Sequence, residues 1–158
     1  MSKYGLKVAM EYGKKLKKFK NKSEAEKYFF SYKAMLLEKF ETICTHKSCF
    51  LPDYTVDSLK RIEKWYFELF ERNEFDQIGF TRHEFEDVMS VYFGEVVVKN
   101  HADAQWLVEE YAFAKKKYQL LLNRGGLNMA HSCRDWYKEP NNKRKNLLYR
   151  EYNKYFVR

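Results

Sequence analysis

The stretch from Thr81 to Arg124 constrains the fold most, because it is the most apolar part of a strongly polar chain. Thr81 with Glu84 three residues later forms a capping-box pattern, which predicts the start of a helix. Apolar residues then recur at steps of three and four, as one face of a helix requires: Phe85, Val88, Met89, Tyr92, Phe93, Val96 and Val97. We expect this helix, which should end at 100–103, to form the folding core.

Two strands are predicted directly after this helix. Gln105–Phe113 and Tyr118–Asn123 are rich in apolar and aromatic residues, and Ala114–Lys117 separates them. A gap of that length fits an antiparallel hairpin, and Gly125-Gly126 is typical of a turn that ends the second strand. Two strands alone make a poor sheet, so the hairpin needs a third strand or a cover of helices.

The rest of the chain is predicted to be helical. Ser23 with Glu26 repeats the capping-box pattern, and Thr55 is the best N-cap candidate for the next helix, with Ser58 second. Helices are predicted over residues 3–20, 23–46, 56–72, 132–137 (capped by Ser132) and 143–156. The last of these is predicted to turn its apolar residues inward: Leu147, Leu148, Tyr152 and Phe156. The fold class is therefore α+β and mostly helical, with about five to six helices and a small antiparallel β-hairpin or sheet in the C-terminal half.

The chain of 158 residues is long enough for one domain with its own core. We predict a single domain over residues 1–158, with a core at 23–158 and a basic helix in residues 1–22 that is either docked or an arm. The first residues hold lysines and lack an apolar signal region, and no apolar run has the length of a membrane span. The expected location is therefore cytoplasmic, with three reduced cysteines.

The predicted helix at 3–20 has two contrasting sides. Tyr4, Val8, Ala9, Tyr12, Leu16 and Phe19 share one side, and lysines occupy the opposite one. One interpretation is a helix that packs through its apolar side and leaves the lysines in solvent. The alternative is a helix that binds a membrane surface or phosphate groups.

The net charge of +8 is concentrated at the two ends of the chain. Residues 1–22 carry eight lysines and one acid, whereas the middle is mildly acidic. Three basic patches result: the N-terminal lysines with Lys7, Lys14 and Lys18, the turn with Lys115, Lys116 and Lys117, and the group Lys143, Arg144 and Lys145. Such patches are either solvated faces or contacts for nucleic acid, anionic membranes or acidic proteins.

A family resemblance covers roughly residues 55–155. Ser58-Leu59 leading to Trp65, the helix end Tyr92-Phe93-Gly94-Glu95-Val96, then Trp106 and a glycine turn before a short helix, resemble a group of small uncharacterised bacterial α+β domains. The resemblance implies the same order of helix, hairpin and helix, and it implies no activity. Some domains of this group lie near toxin genes as immunity or accessory proteins, which is an association rather than a chemistry.

Gly94 and Glu95 form the most unusual pair in the apolar helix. A glycine at a helix centre lowers helix stability, so it indicates the close approach of a strand or a ligand. Glu95 beside it is either an acid–base group of raised pKa or a structural carboxylate that is paired. The candidate binding residues are Glu95, Trp106, Arg124, His131, Arg134 and Trp136, and proximity in sequence suggests a shared pocket for Arg124, His131, Arg134 and Trp136 with Glu95.

No motif indicates a catalytic residue, metal or cofactor. Cys44, His46 and Cys49, even with His131 and Cys133, match no zinc spacing. Asn123-Arg124-Gly125-Gly126 lacks the order of a phosphate-binding loop. The expectation is therefore no metal and no cofactor.

The function that these patterns favour is a non-enzymatic, cytoplasmic protein-binding domain with an unidentified protein partner, with an immunity or accessory role as one form of it. The alternative is a nucleic-acid-binding module that uses the basic patches at both termini and the turn 115–117. A small enzyme that uses Glu95 with Arg124 or His131 is the third hypothesis. The sequence leaves the oligomeric state open.

Overall fold

A computed structural model describes residues 2–47 and 50–157 of the chain. The helices are α1 (Lys3–Lys15), α2 (Lys22–Lys47), α3 (Ser58–Arg72), α4 (Arg82–Asn100), α5 (Asn141–Arg144) and α6 (Leu147–Phe156). The strands are β1 (Ala104–Glu110), β2 (Tyr118–Arg124) and β3 (Leu127–Met129). Short 3₁₀ turns lie at Asp76–Ile78 and Trp136–Lys138. The predicted α+β class, mostly helical with a small antiparallel sheet in the C-terminal half, is confirmed.

Helix α4 lies at the centre of the core, as predicted. The capping box is formed, since Thr81 Oγ1 accepts from Glu84 N at 3.1 Å and Glu84 accepts from Thr81 N. No residue of α4 between Phe85 and Val98 is exposed. Helices α2, α3 and α6 and strand β1 all pack against α4, so its apolar residues are buried on every side.

The sheet has the order β1-β2-β3, and both pairs of strands are antiparallel. The predicted hairpin is confirmed, although β1 ends at Glu110 rather than Phe113. Gly125-Gly126 does more than end β2, because it forms the two-residue turn into β3, with Gly125 at φ +58°. A two-residue hairpin turn of this kind favours positive φ, which glycine adopts without a steric penalty.

Gly94 allows strand β1 to approach α4 closely. A Cβ atom at this position would lie 2.1 Å from two atoms of the Trp106 indole, which is far inside van der Waals contact. The predicted close approach is thus made by the tryptophan of β1, and the glycine exists for packing between a helix and a sheet.

Helix α1 is shorter than predicted and packs through only part of its apolar side. It ends at Lys15, and Leu16 is extended, because Lys18 pairs with Lys117 in an antiparallel bridge. Gly13 is the buried residue of α1, whereas Tyr4 and Val8 on the predicted inner side are exposed. Ala9 and Tyr12 of the predicted inner side do contact the hairpin. The interpretation of a helix packed through its apolar side therefore holds for these residues and fails for Tyr4 and Val8.

Two helix starts differ from the expected caps. The N-cap of α2 is Asn21 rather than Ser23, since Asn21 Oδ1 accepts from Glu24 N at 2.9 Å. Helix α3 begins at Ser58, although Thr55 still contributes, because its Oγ1 accepts from Ser58 N at 3.2 Å.

The C-terminal segment is broken where one helix was predicted. Asn146 has φ +55°, a left-handed conformation that separates α5 from α6 and that asparagine tolerates better than most residues. The helix expected over 132–137 is the single 3₁₀ turn at Trp136–Lys138. Leu148, Tyr152 and Phe156 are buried as predicted. No helix in the described part of the chain is long and apolar enough to cross a bilayer.

Candidate functional site

The chain after α1 pairs with the turn of the β1–β2 hairpin. Phe19 N donates to Lys116 O at 2.9 Å, and Tyr118 N donates to Lys17 O at 3.4 Å. These bonds flank the Lys18–Lys117 bridge. Two basic patches that are about a hundred residues apart in sequence therefore lie side by side.

Phe19 is the anchor of this pairing. Its side chain is buried in a small second core with Ala25, Val108 and Tyr118. The Phe19 ring lies 6.0 Å from the Tyr118 ring in an edge-on arrangement, which is a favourable geometry for an aromatic pair. Burial of Phe19 fixes the register of the extended segment, so the neighbouring lysines point outwards.

The exposed lysines of the two patches form one surface, which we call the lysine surface: Lys15, Lys17, Lys18, Lys20, Lys115 and Lys116. Lys117 is half-buried and does not belong to this surface, because its Nζ donates to Leu16 O at 2.7 Å. Lys14 pairs with Glu11 at 3.0 Å. Lys117 thus holds the end of α1, and the six exposed lysines remain for binding.

Acidic and aromatic groups border the lysine surface. Lys22 pairs with Glu109 at 3.3 Å, and Glu110 Oε2 accepts from Lys116 N at 2.8 Å. The Lys17 ammonium lies 4.1 Å from the centre of the Tyr28 ring, a cation–π distance. The lysine surface is therefore basic at its centre, and its edge carries both acidic and aromatic side chains.

The third basic patch lies against α3. Arg144 is turned inward, where it donates to Glu139 O at 2.7 Å and to Tyr137 O at 2.6 Å. Arg144 and Lys145 line a groove of about 670 Å³ beside α3, together with Lys60, Lys64, Phe67 and Glu63. Because Arg144 is occupied by backbone carbonyls, it holds the 3₁₀ turn rather than contributing a free charge.

Glu95 is paired within the protein. The Lys33 ammonium lies 2.7 Å from Glu95 Oε1, and both side chains are mostly buried. The same ammonium lies 5.5 Å from the centre of the Trp106 ring. This geometry is that of the structural carboxylate, the second of the two roles expected for Glu95.

Arg124 and Arg134 each join two elements. Arg124 donates to Asp103 Oδ1 at 2.9 Å and to the carbonyl of Phe156, and so ties β2 to the end of α6. Arg134 makes two bonds of 2.9 Å to the Asp87 carboxylate of α4. Such two-pronged arginine–carboxylate pairs are geometrically specific and hold elements in position.

His131 and Trp136 form hydrogen bonds to different carboxylates. The His131 ring stacks on Phe93 at 4.1 Å between centres, and its Nε2 is 3.0 Å from Glu151 Oε2. Trp136 Nε1 donates to Glu63 Oε2 at 2.7 Å. His131 Nδ1 and Trp106 Nε1 are buried without a hydrogen-bond partner among the described residues.

The five residues for which sequence proximity suggested one pocket are only partly brought together. The His131 and Trp136 rings lie 6.3 Å apart, whereas Glu95 pairs with Lys33 of α2, Arg134 with Asp87 of α4, and Arg124 with Phe156 of α6. Trp106, the sixth candidate, lies beside Glu95 through their common neighbour Lys33. Neighbours in sequence diverge here because the segment 130–138 crosses over the buried helix. As binding residues the six stay a prediction.

Two buried carboxylates were missed in the sequence. Glu63 accepts from Leu147 N at 2.8 Å and Leu148 N at 3.3 Å, and burial raises its pKa to about 7. Glu86 is also buried and accepts from the Tyr66 hydroxyl at 2.6 Å. Both lie at helical spacing from core residues, as in Leu59-Glu63-Tyr66, which is the signal that would have identified them.

Among the described residues one group, His83, Glu86 and Asp135, brings three metal-ligand atoms within 4.8 Å of one another. The Arg82 guanidinium already donates to Glu86 at 2.8 Å and to Asp135 at 3.0 Å. The positively charged Arg82 side chain thus already pairs with both carboxylates of this group. Cys44 and Cys133 are both buried, and Cys49 lies outside the described residues.

Comparison with known proteins shows the family of this chain. The profile of the family described as "Uncharacterised protein YwmA" matches residues 18–156, which is most of the chain. The chain belongs to the YwmA family. The match begins with the extended segment of the lysine surface and leaves α1 outside.

A similar member of the YwmA family comes from Bacillus subtilis (strain 168). This "Uncharacterized protein YwmA" is 27% identical over 132 residues, which cover 82% of this chain and 83% of the relative. No solved structure matches the chain. The resemblance to small uncharacterised bacterial domains is confirmed at this level, and the YwmA description assigns no activity.

Proposed function

We propose that this chain is a non-enzymatic protein-binding domain, and that its lysine surface binds an acidic face of a partner protein. The observation that carries the proposal is the Lys18–Lys117 bridge, because it brings the N-terminal lysines next to the hairpin turn. Six exposed lysines on one surface attract an anionic partner over a range set by the ionic strength.

The edge of the lysine surface favours a protein over a uniform polyanion. Glu109 and Glu110 lie among the lysines, where they would repel a phosphate backbone. A protein partner can place its own basic groups opposite these acids, and such charge matching gives specificity. An immunity or accessory role is one form of this binding.

Partner capture from native lysate of the source bacterium tests the proposal. The wild-type chain is compared with a variant that carries Lys18→Glu and Lys116→Glu. The matched control carries Lys143→Glu and Lys145→Glu, since these lysines are exposed on the third patch. We expect one acidic protein to be retained by the wild type and the control and to be lost with the first variant. Equal retention by all three, or no retained protein, would contradict the proposal.

The second candidate function is nucleic-acid binding at the same surface. Tyr28 and Phe113 are partly exposed near the lysines, and aromatic rings beside basic groups stack on unpaired bases. Fluorescence anisotropy with labelled duplex and single-stranded oligonucleotides at two salt concentrations distinguishes the two functions. Binding whose logarithm falls steeply with the logarithm of salt concentration would support nucleic acid, and absence of binding at low salt would exclude it.

A further inference from the structure

Helix α1 is attached to the hairpin through a narrow strip of residues. Gly13 is the buried residue of the helix, and a Cβ there would lie 3.0 Å from both Ala114 and the Tyr111 ring. The Tyr111 hydroxyl donates to Ala9 O at 3.0 Å, and the Tyr111 ring lies 5.4 Å from the Tyr12 ring. The docked side of α1 is therefore the strip of Ala9, Tyr12 and Gly13.

Large apolar side chains lie exposed on both sides of this strip. Tyr4 is 78% exposed and Val8 51% on one side, while Leu6 is 42% and Met10 48% exposed on the other. At about 100° per residue, these four residues and the docked strip together span an arc of roughly 240°, in which Lys15 is the one charged residue. Soluble proteins rarely leave so much apolar surface on one short element without a partner.

Lysines occupy the remaining side of α1. Lys3, Lys7 and Lys14 lie within the narrow polar arc, with Glu11 as the single acid of residues 1–22. An apolar arc opposite a lysine-rich arc is the pattern of a helix that lies in the plane of a membrane surface. The helix lies outside residues 18–156, which the family model matches.

We propose that α1 binds the surface of a bilayer that contains anionic phospholipids. The helix leaves the hairpin, its apolar arc enters the headgroup region, and its lysines contact lipid phosphates. Charge selects this occupant over a second copy of the chain, because residues 1–22 are strongly basic and the net charge of the chain is +8. Two such surfaces would repel each other.

Few contacts hold α1 on the hairpin, so the helix can leave the hairpin for a bilayer surface. Besides the packing of Gly13, they include the Tyr111–Ala9 bond, a bond from Gln119 to the Tyr12 hydroxyl at 3.0 Å, and the bonds of Lys117 to the end of the helix. The pairing of Phe19 with the hairpin lies beyond the helix, so it stays intact when α1 moves.

Co-sedimentation of the full chain with vesicles tests the proposal. One set of vesicles is pure phosphatidylcholine, and the other contains about one quarter phosphatidylglycerol, a fraction that gives the negative surface potential that attracts lysines. We expect the partition coefficient to be more than about tenfold higher for the anionic vesicles. Met10→Asp should remove at least about tenfold of it, because a charge in the interface opposes insertion of the apolar arc.

Met35→Asp is the matched control, since Met35 is 51% exposed on α2 and carries the same substitution. Val8→Asp repeats the test on the other side of the strip. Retained partitioning of Met35→Asp with loss for Met10→Asp and Val8→Asp supports the proposal.

Three outcomes would overturn it. The first is no preference for anionic vesicles. The second is loss with Lys18→Glu and Lys116→Glu but not with Met10→Asp, which would mean adsorption through the lysine surface alone. The third is self-association without vesicles that Met10→Asp abolishes, which would make a second copy the occupant. Partner capture is measured separately, so failure of the function proposed above leaves this test unaffected.

Discussion

Glu63 shows at the scale of one residue how burial competes with hydrogen bonding. Three donors point at its carboxylate, namely Trp136 Nε1, Leu147 N and Leu148 N, and they favour the charged form. Desolvation is the larger effect, and with the negative charge of Glu151 it raises the pKa of Glu63 to about 7. An unfolded glutamate titrates near about 4.3.

The first prediction concerns pH and follows from this difference. The folded state holds the proton of Glu63 more tightly than the unfolded state does. The contribution of Glu63 to the free energy of unfolding is therefore complete below about pH 4. That contribution is lost as the pH rises through about 7, with a total on the order of 3–4 kcal/mol. Urea unfolding at several pH values measures it. Glu63→Gln should flatten the decline, and Glu68→Gln, on the exposed side of the same helix, should not. An unchanged slope in Glu63→Gln would show that another group is responsible.

The second prediction concerns Gly94. In an open helix Gly→Ala stabilises by about 1 kcal/mol, but here the new Cβ would overlap the Trp106 indole at 2.1 Å. We expect Gly94→Ala to lower the free energy of unfolding by about 1–3 kcal/mol, as overpacking does. In a Trp106→Leu background the same change should cost less, since the indole is gone. An equal cost in both backgrounds would contradict the assigned contact.

Two helices of similar length behave differently at the scale of elements. Helix α3 buries Leu59, Ile62, Tyr66 and Leu69 against the core, whereas α1 buries Gly13. Helices of this length gain most of their stability from packing rather than from propensity. The stability of α1 is therefore expected to be local, and that of α3 to follow the whole protein.

Hydrogen exchange measures this third prediction. Amides of α1 should exchange more than about tenfold faster than amides of α4, which is buried along most of its length, because α1 opens without global unfolding. Amides of α3 serve as the reference for an element that opens with the core. Equal protection of α1 and α4 would show that α1 is part of the cooperative core, and would also weigh against its release to a membrane.

At the scale of the whole molecule, α4 connects the parts. Helices α2, α3 and α6 and strand β1 all pack on it, and the small core around Phe19 joins the same hairpin. Elements that share one buried helix have few ways to unfold separately. A single domain over the described chain is therefore expected to unfold in one step.

The fourth prediction is that tryptophan fluorescence and far-ultraviolet circular dichroism give the same urea midpoint. Fluorescence reports the packing around Trp65, Trp106 and Trp136 at the main core, whereas circular dichroism reports mainly the helices, so the two probes follow different features of the fold. Coincident curves are the signature of two-state unfolding. Separate midpoints would show that the sheet with the N-terminal segment unfolds apart from the helices.

Local patterns in the sequence identified α4, the hairpin and the inward residues of α6. The capping box at Thr81 and the spacing from Phe85 to Val97 depend on neighbours within a few turns, so they are readable from one chain. The same holds for Gly94, whose position in an apolar helix predicted a close approach. The shift of the N-cap from Ser23 to Asn21 and the break at Asn146 were missed, since several residues nearby were chemically suited to either arrangement.

The sequence by itself determined the fold class, the apolar centre and the uneven charge, because each follows from residue type and periodicity. Tertiary structure decided which distant residues meet. In the folded chain, Lys18 pairs with Lys117, Trp106 packs on Gly94, and Glu95 forms an ion pair with Lys33. Tertiary structure also turned Gly13 and Tyr12 of α1 towards the hairpin and left Tyr4 and Val8 exposed. These choices depend on shape and on contacts between segments far apart in the chain, which periodicity does not encode.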